Sequence, residues 1–523
     1  MKRLYWIFFV AMAWCSCYDD KGNYDYRDLE ELSVAIKEEG PHNVLFGGTL
    51  ALTSEVKTVI PETDLQYDWE IQWPSPWYNP FVSVAQGREL NYKWENEELN
   101  VERAYTMRLH VTQLSNDRHF YSEGVTVNLR TSPSPTGLMV LHGDDRSCDI
   151  GIIEAPEFQL AAPASGFVTK TTPASYSAGN GGEKITGKGT GLWQTYLSNS
   201  TSIPENIVVI ALTDNGSALA NSKTLANEGD WNDMFIGGLN SEAEGIYIDG
   251  SNMYVFDGGS IFKRNYYRFK VDVPTYDYDE GNEETGYRFY PYVFNITSSH
   301  SAIGQVQMFD KKTCGFVAVG QANNLSNLSS LKTGKSTPFD PGDMKADLVH
   351  WANGGQYGML AVMKSKADGS YFIAEMDVEA DDAETFAKYK YDLAVAAPVD
   401  WAFGTGRINM CYYADAQGVY RFTVDGGNAV SPEKLTKEDN TEVTFDGDIT
   451  LMKILKPTAL GGSWSGGSYY MNNKVMVVGT YGGSAGSGQL YSLELDENSG
   501  KVKSVLGVYE GFDRIEEVEI KGY

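Results

Sequence analysis

The sequence predicts an all-β chain in two parts, a β-sandwich followed by a β-propeller of about seven blades. Three observations carry this. The 523 residues include 54 glycines beside 33 tyrosines, 22 phenylalanines and 11 tryptophans, a mix suited to strands joined by tight turns. Thr131-Ser132-Pro133-Ser134-Pro135-Thr136 is a break that no central strand or helix accepts. Beyond it, hairpin follows hairpin at a spacing near the roughly 40–50 residues of a propeller blade.

Charge narrows the function. Seventy acidic residues against 42 basic ones leave a net charge of −28. Nucleic acid needs a basic footprint, so it is a poor partner. The same charge argues against electrostatic docking on anionic lipid.

Residues 1–16 read as an export signal. Lys2 and Arg3 precede an apolar run from Leu4 to Trp14, about half the ~20 residues that span a bilayer. Ser16-Cys17 at its end resembles a bacterial lipobox, in which the Cys17 thiol would carry the lipid. Several acyl chains at about 0.8 kcal/mol per CH₂ make a stable anchor. The alternative is an ordinary cleaved signal with two incidental cysteines. Cys148, Cys314 and Cys411 are odd in number and scattered, which suits buried small hydrophobes better than disulfides or zinc.

Residues 17–130 form the sandwich. Leu65–Trp73 (LQYDWEIQW) and Ala104–Thr112 (AYTMRLHVT) alternate apolar and polar, and Gly124–Leu129 closes the region. Short strands with a central tryptophan suggest an immunoglobulin-like sandwich. Between the strands stands Trp73-Pro-Ser-Pro-Trp77-Tyr78-Asn-Pro-Phe81. Its aromatics on a proline-stiffened hairpin make Trp73, Trp77, Tyr78 and Phe81 a candidate binding or interface surface. The alternative is that they pack between the two parts.

Residues 131–136 are the linker and residues 137–523 the propeller. Strong turns sit at Asp214-Asn215-Gly216, Asp249-Gly250, Asp368-Gly369 and Asp415–Gly418, each between apolar runs. The returning strands look alike, as in Gly369-Ser-Tyr-Phe-Ile-Ala-Glu-Met-Asp377 and Gly418-Val-Tyr-Arg-Phe-Thr-Val-Asp425. Glycine-rich Gly461–Gly467 reads as an insertion. A ring needs its ends paired to remove free edges, and Gly137–His142 and Phe512–Ile520 are the natural partners. Ala380–Lys390 is the best candidate for a short helix, and Tyr287–Phe294 reads as blade core.

Three sequence runs carry a family resemblance. Tyr67-Asp68-Trp69 and Tyr105-Thr-Met-Arg-Leu-His-Val111 resemble the paired strands of a PKD domain, and Cys17-Tyr-Asp-Asp-Lys-Gly-Asn-Tyr-Asp-Tyr26 resembles the mature start of Bacteroidetes PKD-like family lipoproteins. That resemblance implies a lipid-anchored, outer-membrane, surface-exposed protein. It also implies a place beside a SusC/SusD-like TonB-dependent transporter, taking up peptide or glycan. No catalytic residues come with it.

The search for chemistry points away from an enzyme. Gly482-Gly483-Ser484-Ala485-Gly486 has the spacing of a nucleophile elbow but sits in a flexible loop between strands. Of six histidines only His110 and His119 are close, and His110 alternates toward solvent. Asp144, Asp145, Asp400 and Asp446 could serve a glycosidase pair, which keeps a surface hydrolase as the rival reading. A purely architectural subunit is the third. Asp277, Asp279 and Glu283 offer calcium-type oxygens, but Gly281 takes a ligand position, so the run reads as a solvated loop. No other metal and no cofactor is expected.

Overall fold

A computed structural model of the chain describes residues 32–38, 40–45, 48–73, 79–94, 96, 99, 103–130, 136–163, 167–196, 207–222, 224–235, 242–249, 252–264, 287–295, 306–319, 328–334, 337–353, 358–377, 380–404, 409–428, 430–456 and 469–522. The signal segment, Cys17, linker residues 131–135, the calcium-type run and the insertion around Gly461–Gly467 lie outside these. The chain divides into two compact units, Met1–Arg130 and Thr131–Tyr523.

The first unit has two sheets. One orders His42–Leu45, Val125–Arg130, Arg103–Gln113, Leu65–Gln72 and Phe81–Gln86, with Arg118–Tyr121 also on Arg103–Gln113. The other orders Leu32–Ile36, Thr49–Thr58 and Glu89–Lys93. Strict alternation sends Trp69, Ile71, Met107, Leu109 and Val111 inward, where they meet Leu52 and Leu90 of the facing sheet. Trp69 is fully buried, and its indole N–H donates to the Gly87 carbonyl at 2.9 Å. That carbonyl belongs to a turn at φ +108°, a backbone region that glycine enters freely.

The second unit contains seven small antiparallel sheets among its described residues. In chain order they begin at the strands Gly137–Gly143, Gly189–Tyr196, Ala243–Asp249, Phe294–Asn295, Ala346–Asn353, Asp400–Phe403 and Asp448–Ile454. Each runs on as consecutive hairpins. The first sheet departs from this: its edge strand is the C-terminal Arg514–Lys521, paired antiparallel with Gly137–Gly143 in the register Leu138↔Ile520 and Val140↔Val518. The two ends expected to be partners are therefore hydrogen-bonded. His142 fastens the junction, accepting the Asp513 amide on Nδ1 at 3.0 Å. Its Nε2 donates to the Pro173 carbonyl at 2.9 Å. Those roles require a neutral ring, and burial holds its pKa below the ordinary histidine value.

Why the middle strands are unbroken apolar runs follows from where their faces go. Val475 and Val477 pack with Leu138, Val140 and Val518 of the first sheet. Met476 and Val478 pack with Tyr412 and Ala414 of the sixth. Both faces are buried, so alternation disappears. Seven such clusters lie among the described residues of this unit. The others join the first and second sheets (Leu141, Val209), the second and third (Ile210, Val255), and the third and fourth (Phe256, Met308). They continue through the fourth and fifth (Phe316, Met363) and the fifth and sixth (Val362, Cys411). Every sheet shares a core with two neighbours.

Two local expectations change. The helix is only Ala383–Phe386, begun by the mutual Asp382–Thr385 cap. Ala387–Leu393 instead forms the outer strand of the fifth sheet, because Ala387, Tyr391 and Leu393 alternate inward. In the Tyr287–Phe294 stretch Phe289 and Val293 are core, while Tyr290 and Tyr292 are half-buried at its side. Cys148, Cys314 and Cys411 are buried and unbridged.

Candidate functional site

The edge strands on one side of the second unit's sheets are tied by polar links. Tyr290 donates its hydroxyl to the Val349 carbonyl at 3.0 Å, the Met452 amide donates to Asp400 Oδ2 at 2.9 Å, and Thr450 donates to the Ile515 carbonyl at 2.7 Å. Gln194 exchanges two hydrogen bonds with the Gly522 backbone, at 2.8 and 2.9 Å. Between these strands lies a cavity of about 240 Å³, its wall formed by Tyr292, His350, Trp401, Phe403, Lys453, Lys456 and Glu519, among others. Its residues come from the fifth, sixth and seventh sheets, the closing C-terminal strand and the fourth-sheet flank.

Lys453 is the hub. Its Nζ reaches Glu517 Oε1 at 3.0 Å, the Val518 carbonyl at 2.8 Å and Glu519 Oε2 at 3.4 Å. The lysine side chain keeps 35% exposure and the two glutamates 27% and 23%, and Lys453 and Glu519 line the cavity. Burial opposes the Lys453 charge, but the two carboxylates outweigh it and hold its pKa above the ordinary lysine value. One ammonium cannot neutralise two carboxylates. Glu519 is accordingly lifted by burial, with Lys453 pulling against it and Glu517 adding to it.

A second set sits beside the first. Lys456 donates to the Phe403 carbonyl, and burial drops its pKa to about 8. The remaining ammonium protons keep donor capacity. His350 stands edge-on to Phe403 with centroids 5.2 Å apart. Burial, then the Lys456 charge, pushes it down to about 4. Asp400, just outside the lining, spends Oδ1 on the Trp401 amide and Oδ2 on the Met452 amide, at 2.8 and 2.9 Å. Burial raises it to about 7 despite those bonds. The result is a small concave site with aromatic walls, one shared ion cluster and one separate amine.

The structure distributes the sequence-predicted residues widely. Of the acids considered for hydrolysis, Asp400 stands at the cavity, whereas Asp144 caps a turn by accepting from the Arg146 and Ser147 amides. Trp73 packs on the first unit's core, and Phe81 lies 3.6 Å under the Arg108 guanidinium. Trp77 and Tyr78 lie outside the described residues, as do Cys17, Asp277, Asp279 and Glu283. Ser484 is in an exposed turn. His110 faces outward as its alternation requires, yet Glu70 and Tyr121 cover it to 15% side-chain exposure. Sequence reasoning missed Lys453, Lys456, His350 and Glu519. Among the described residues no group of three or more His, Cys, Asp or Glu side chains is arranged to hold a metal ion, and no helix is long and apolar enough to cross a membrane.

Comparison with known proteins finds the PKD-like family over residues 17–188, a match that spans the first unit and runs into the first sheet of the second. No curated protein matches. Among solved structures, the chain is similar to the dihydro-heme d1 dehydrogenase NirN in complex with DHE at 12% identity and TM-score 0.34, over 74% of this chain and 75% of that one. A eukaryotic initiation factor gives 8% and 0.30, over 74% and 98%. A DUF4784 family protein from Bacteroides caccae gives 10% and 0.21, over 90% and 95%.

Proposed function

We propose that the second unit is a seven-bladed β-propeller and that its cavity captures the charged end of an oligomeric nutrient. In this reading the protein is a lipid-anchored, surface-exposed accessory of a SusC/SusD-like uptake system and has no enzymatic role. The propeller reading is supported by the pairing of Gly137–Gly143 with Arg514–Lys521 and by the shared core between each sheet and its two neighbours. The capture reading rests chiefly on the cavity. Lys456, with spare donors, stands between aromatic walls near the net-negative Lys453–Glu517–Glu519 cluster, so an anionic group and a cationic one each find a counterpart. A volume of about 240 Å³ lies below the roughly 300–1,000 Å³ of pockets that enclose a whole ligand and suits a chain end more than a whole oligomer. Opposite charges a short distance apart favour peptide over neutral glycan. Trp77 and Tyr78 remain a second candidate contact surface in this proposal.

A specific observation sustains the hydrolase as second reading: Asp400 and Glu519 both have raised pKa values, as general acids do. Against it, both Asp400 oxygens are committed to backbone amides, and Glu519 is committed to Lys453. Asp400→Asn with Glu519→Gln separates the two, since only a hydrolase loses turnover on oligosaccharide or peptide substrates.

The accessory role is tested by purifying the native lipoprotein from outer membranes in mild detergent. Co-purification of a TonB-dependent transporter and its lid subunit, lost when Cys17→Ala releases the protein from the membrane, is the expected result. A Cys17→Ala protein that stays membrane-bound would overturn the lipid anchor. Wild-type protein that purifies alone would overturn the complex.

A further inference from the structure

The core shared by the fourth and fifth sheets ends in a contact that the capture reading does not use. Cys314 occupies the turn between Val306–Asp310 and Gly315–Val319 of the fourth sheet. Lys366 follows Gly358–Ser365 of the fifth sheet, in the turn that leads to Tyr371–Asp377. Its Nζ donates to Cys314 Sγ at 2.8 Å. That is the length of an N–H···O bond, although sulfur is the larger atom. Turns of two neighbouring sheets, 52 residues apart in the chain, thus set an amine directly against a thiol.

The backbone holds both partners in place. The Met344 amide donates to the Cys314 carbonyl at 2.7 Å, and the Lys366 amide donates to the Lys345 carbonyl at 3.1 Å. One short segment therefore fastens both turns. Cys314 has φ +54°, a left-handed conformation uncommon for a residue of its type. Its thiol donates to the Lys311 carbonyl at 3.5 Å, which leaves sulfur lone pairs for the lysine. Asp347 Oδ1 lies 3.3 Å from the same Nζ.

The other two cysteines lack this setting. Burial pushes Cys148 up to about 12 and Cys411 well above the ordinary thiol value, which keeps both unreactive. Lys366 is shifted by its partners instead. Its bond to the Cys314 sulfur, more than its bond to Asp347, raises its pKa, so the reduced pair holds an ammonium. Oxidation of the sulfur removes the larger of those two supports. Cys314 is only 5% exposed, too enclosed for a disulfide with a second chain, and the amine is the nucleophile within reach.

We infer that Cys314 and Lys366 form an oxidative modification site, which hydrogen peroxide converts to a covalent sulfenamide joining the fourth sheet to the fifth. Peroxide takes two electrons from the sulfur, giving the sulfenic acid and one water. The Lys366 ammonium, whose side chain is 49% exposed, releases a proton to solvent and its nitrogen attacks the sulfur. The S–O bond breaks, the S–N bond forms, and the departing hydroxide takes a second proton from nitrogen to leave as water. One peroxide is consumed and two waters are formed. The inference is independent of the cavity.

The test treats the full-length protein with a slight excess of hydrogen peroxide, digests it with trypsin without reductant, and reads the peptides by mass spectrometry. The expected product joins the Cys314 and Lys366 peptides, is lighter by two hydrogens than their sum, and is not cleaved after Lys366. Dithiothreitol should separate it into its parents, and its yield should rise in alkaline medium, where more of the amine is uncharged. Lys366→Arg keeps a cation at the turn but has no amine that can lose its charge, so its Cys314 should be recovered as sulfinic acid instead. Wild-type protein whose two peptides stay unjoined after peroxide, or a joined species that persists in Cys314→Ser, overturns the inference and leaves a simple lysine–thiol hydrogen bond.

Discussion

Asp400→Asn should change sign with pH. Asp400 has its pKa raised from 3.8 to about 7, burial being the main cause. The native state therefore holds a proton between those values that the unfolded chain has released. Native protons then exceed unfolded ones, so stability falls as pH rises from about 4 to about 7. A shift of about three units corresponds to roughly 4 kcal/mol at most, reduced by the partial solvent access of the side chain. Asparagine removes that cost but leaves one of the two backbone amides, Trp401 or Met452, without its acceptor, a loss of about 1–3 kcal/mol. The variant should be equal to or less stable than wild type by about 1 kcal/mol at pH 4.5, and more stable by about 1–3 kcal/mol at pH 8.5. Calorimetry of both proteins across that range reads the second unit's transition directly. A stability difference that is flat from pH 4.5 to 8.5 would refute the assignment of a buried acid at this position.

Other outcomes follow from the same structure. His142 must be neutral to accept from the Asp513 amide, and its folded pKa is lowered by burial. Its contribution is complete above about pH 6.5 and is lost as pH falls below that value. His142→Gln can supply both the acceptor and the donor, so it should flatten this acid limb; an unchanged slope below pH 6.5 would point to His350, whose pKa of about 4 gives the same sign. Trp69→Ala should cost the first unit about 3–5 kcal/mol, from a fully buried ring and its bond to Gly87. The second unit's transition should not move in that variant, and a shift in both would show that the units melt together.

How much of this was readable in advance depends on the range of the contacts. Strands announced themselves where one face was exposed, as in Leu65–Gln72, and hairpins where turn residues sat between apolar runs, as at Asp214-Asn215-Gly216. Pairing of Gly137–Gly143 with Arg514–Lys521 was legible because each end of the second unit reads as a strand. The Ala380–Lys390 helix was misjudged because helix propensity and a strand's alternation overlap there, and the Tyr371–Asp377 edge decides between them. The cavity was hidden for a different reason. Lys453, Lys456, His350 and Glu519 lie up to 169 residues apart, and each alone looks like an ordinary charged position. Asp400 was noticed, but 70 acidic residues gave no means of preferring it.

The central claim is that the cavity at Lys453 and Lys456 captures a chain end. Its most direct test is calorimetric titration of the full-length protein with a defined pool of tetra- to hexapeptides, run in parallel with the same peptides as carboxy-terminal amides and with Lys456→Ala. The account predicts saturable binding of the free carboxylates, weakened at least tenfold by either change. Binding that ignores both the amide and the substitution, or no binding by any peptide, would contradict it.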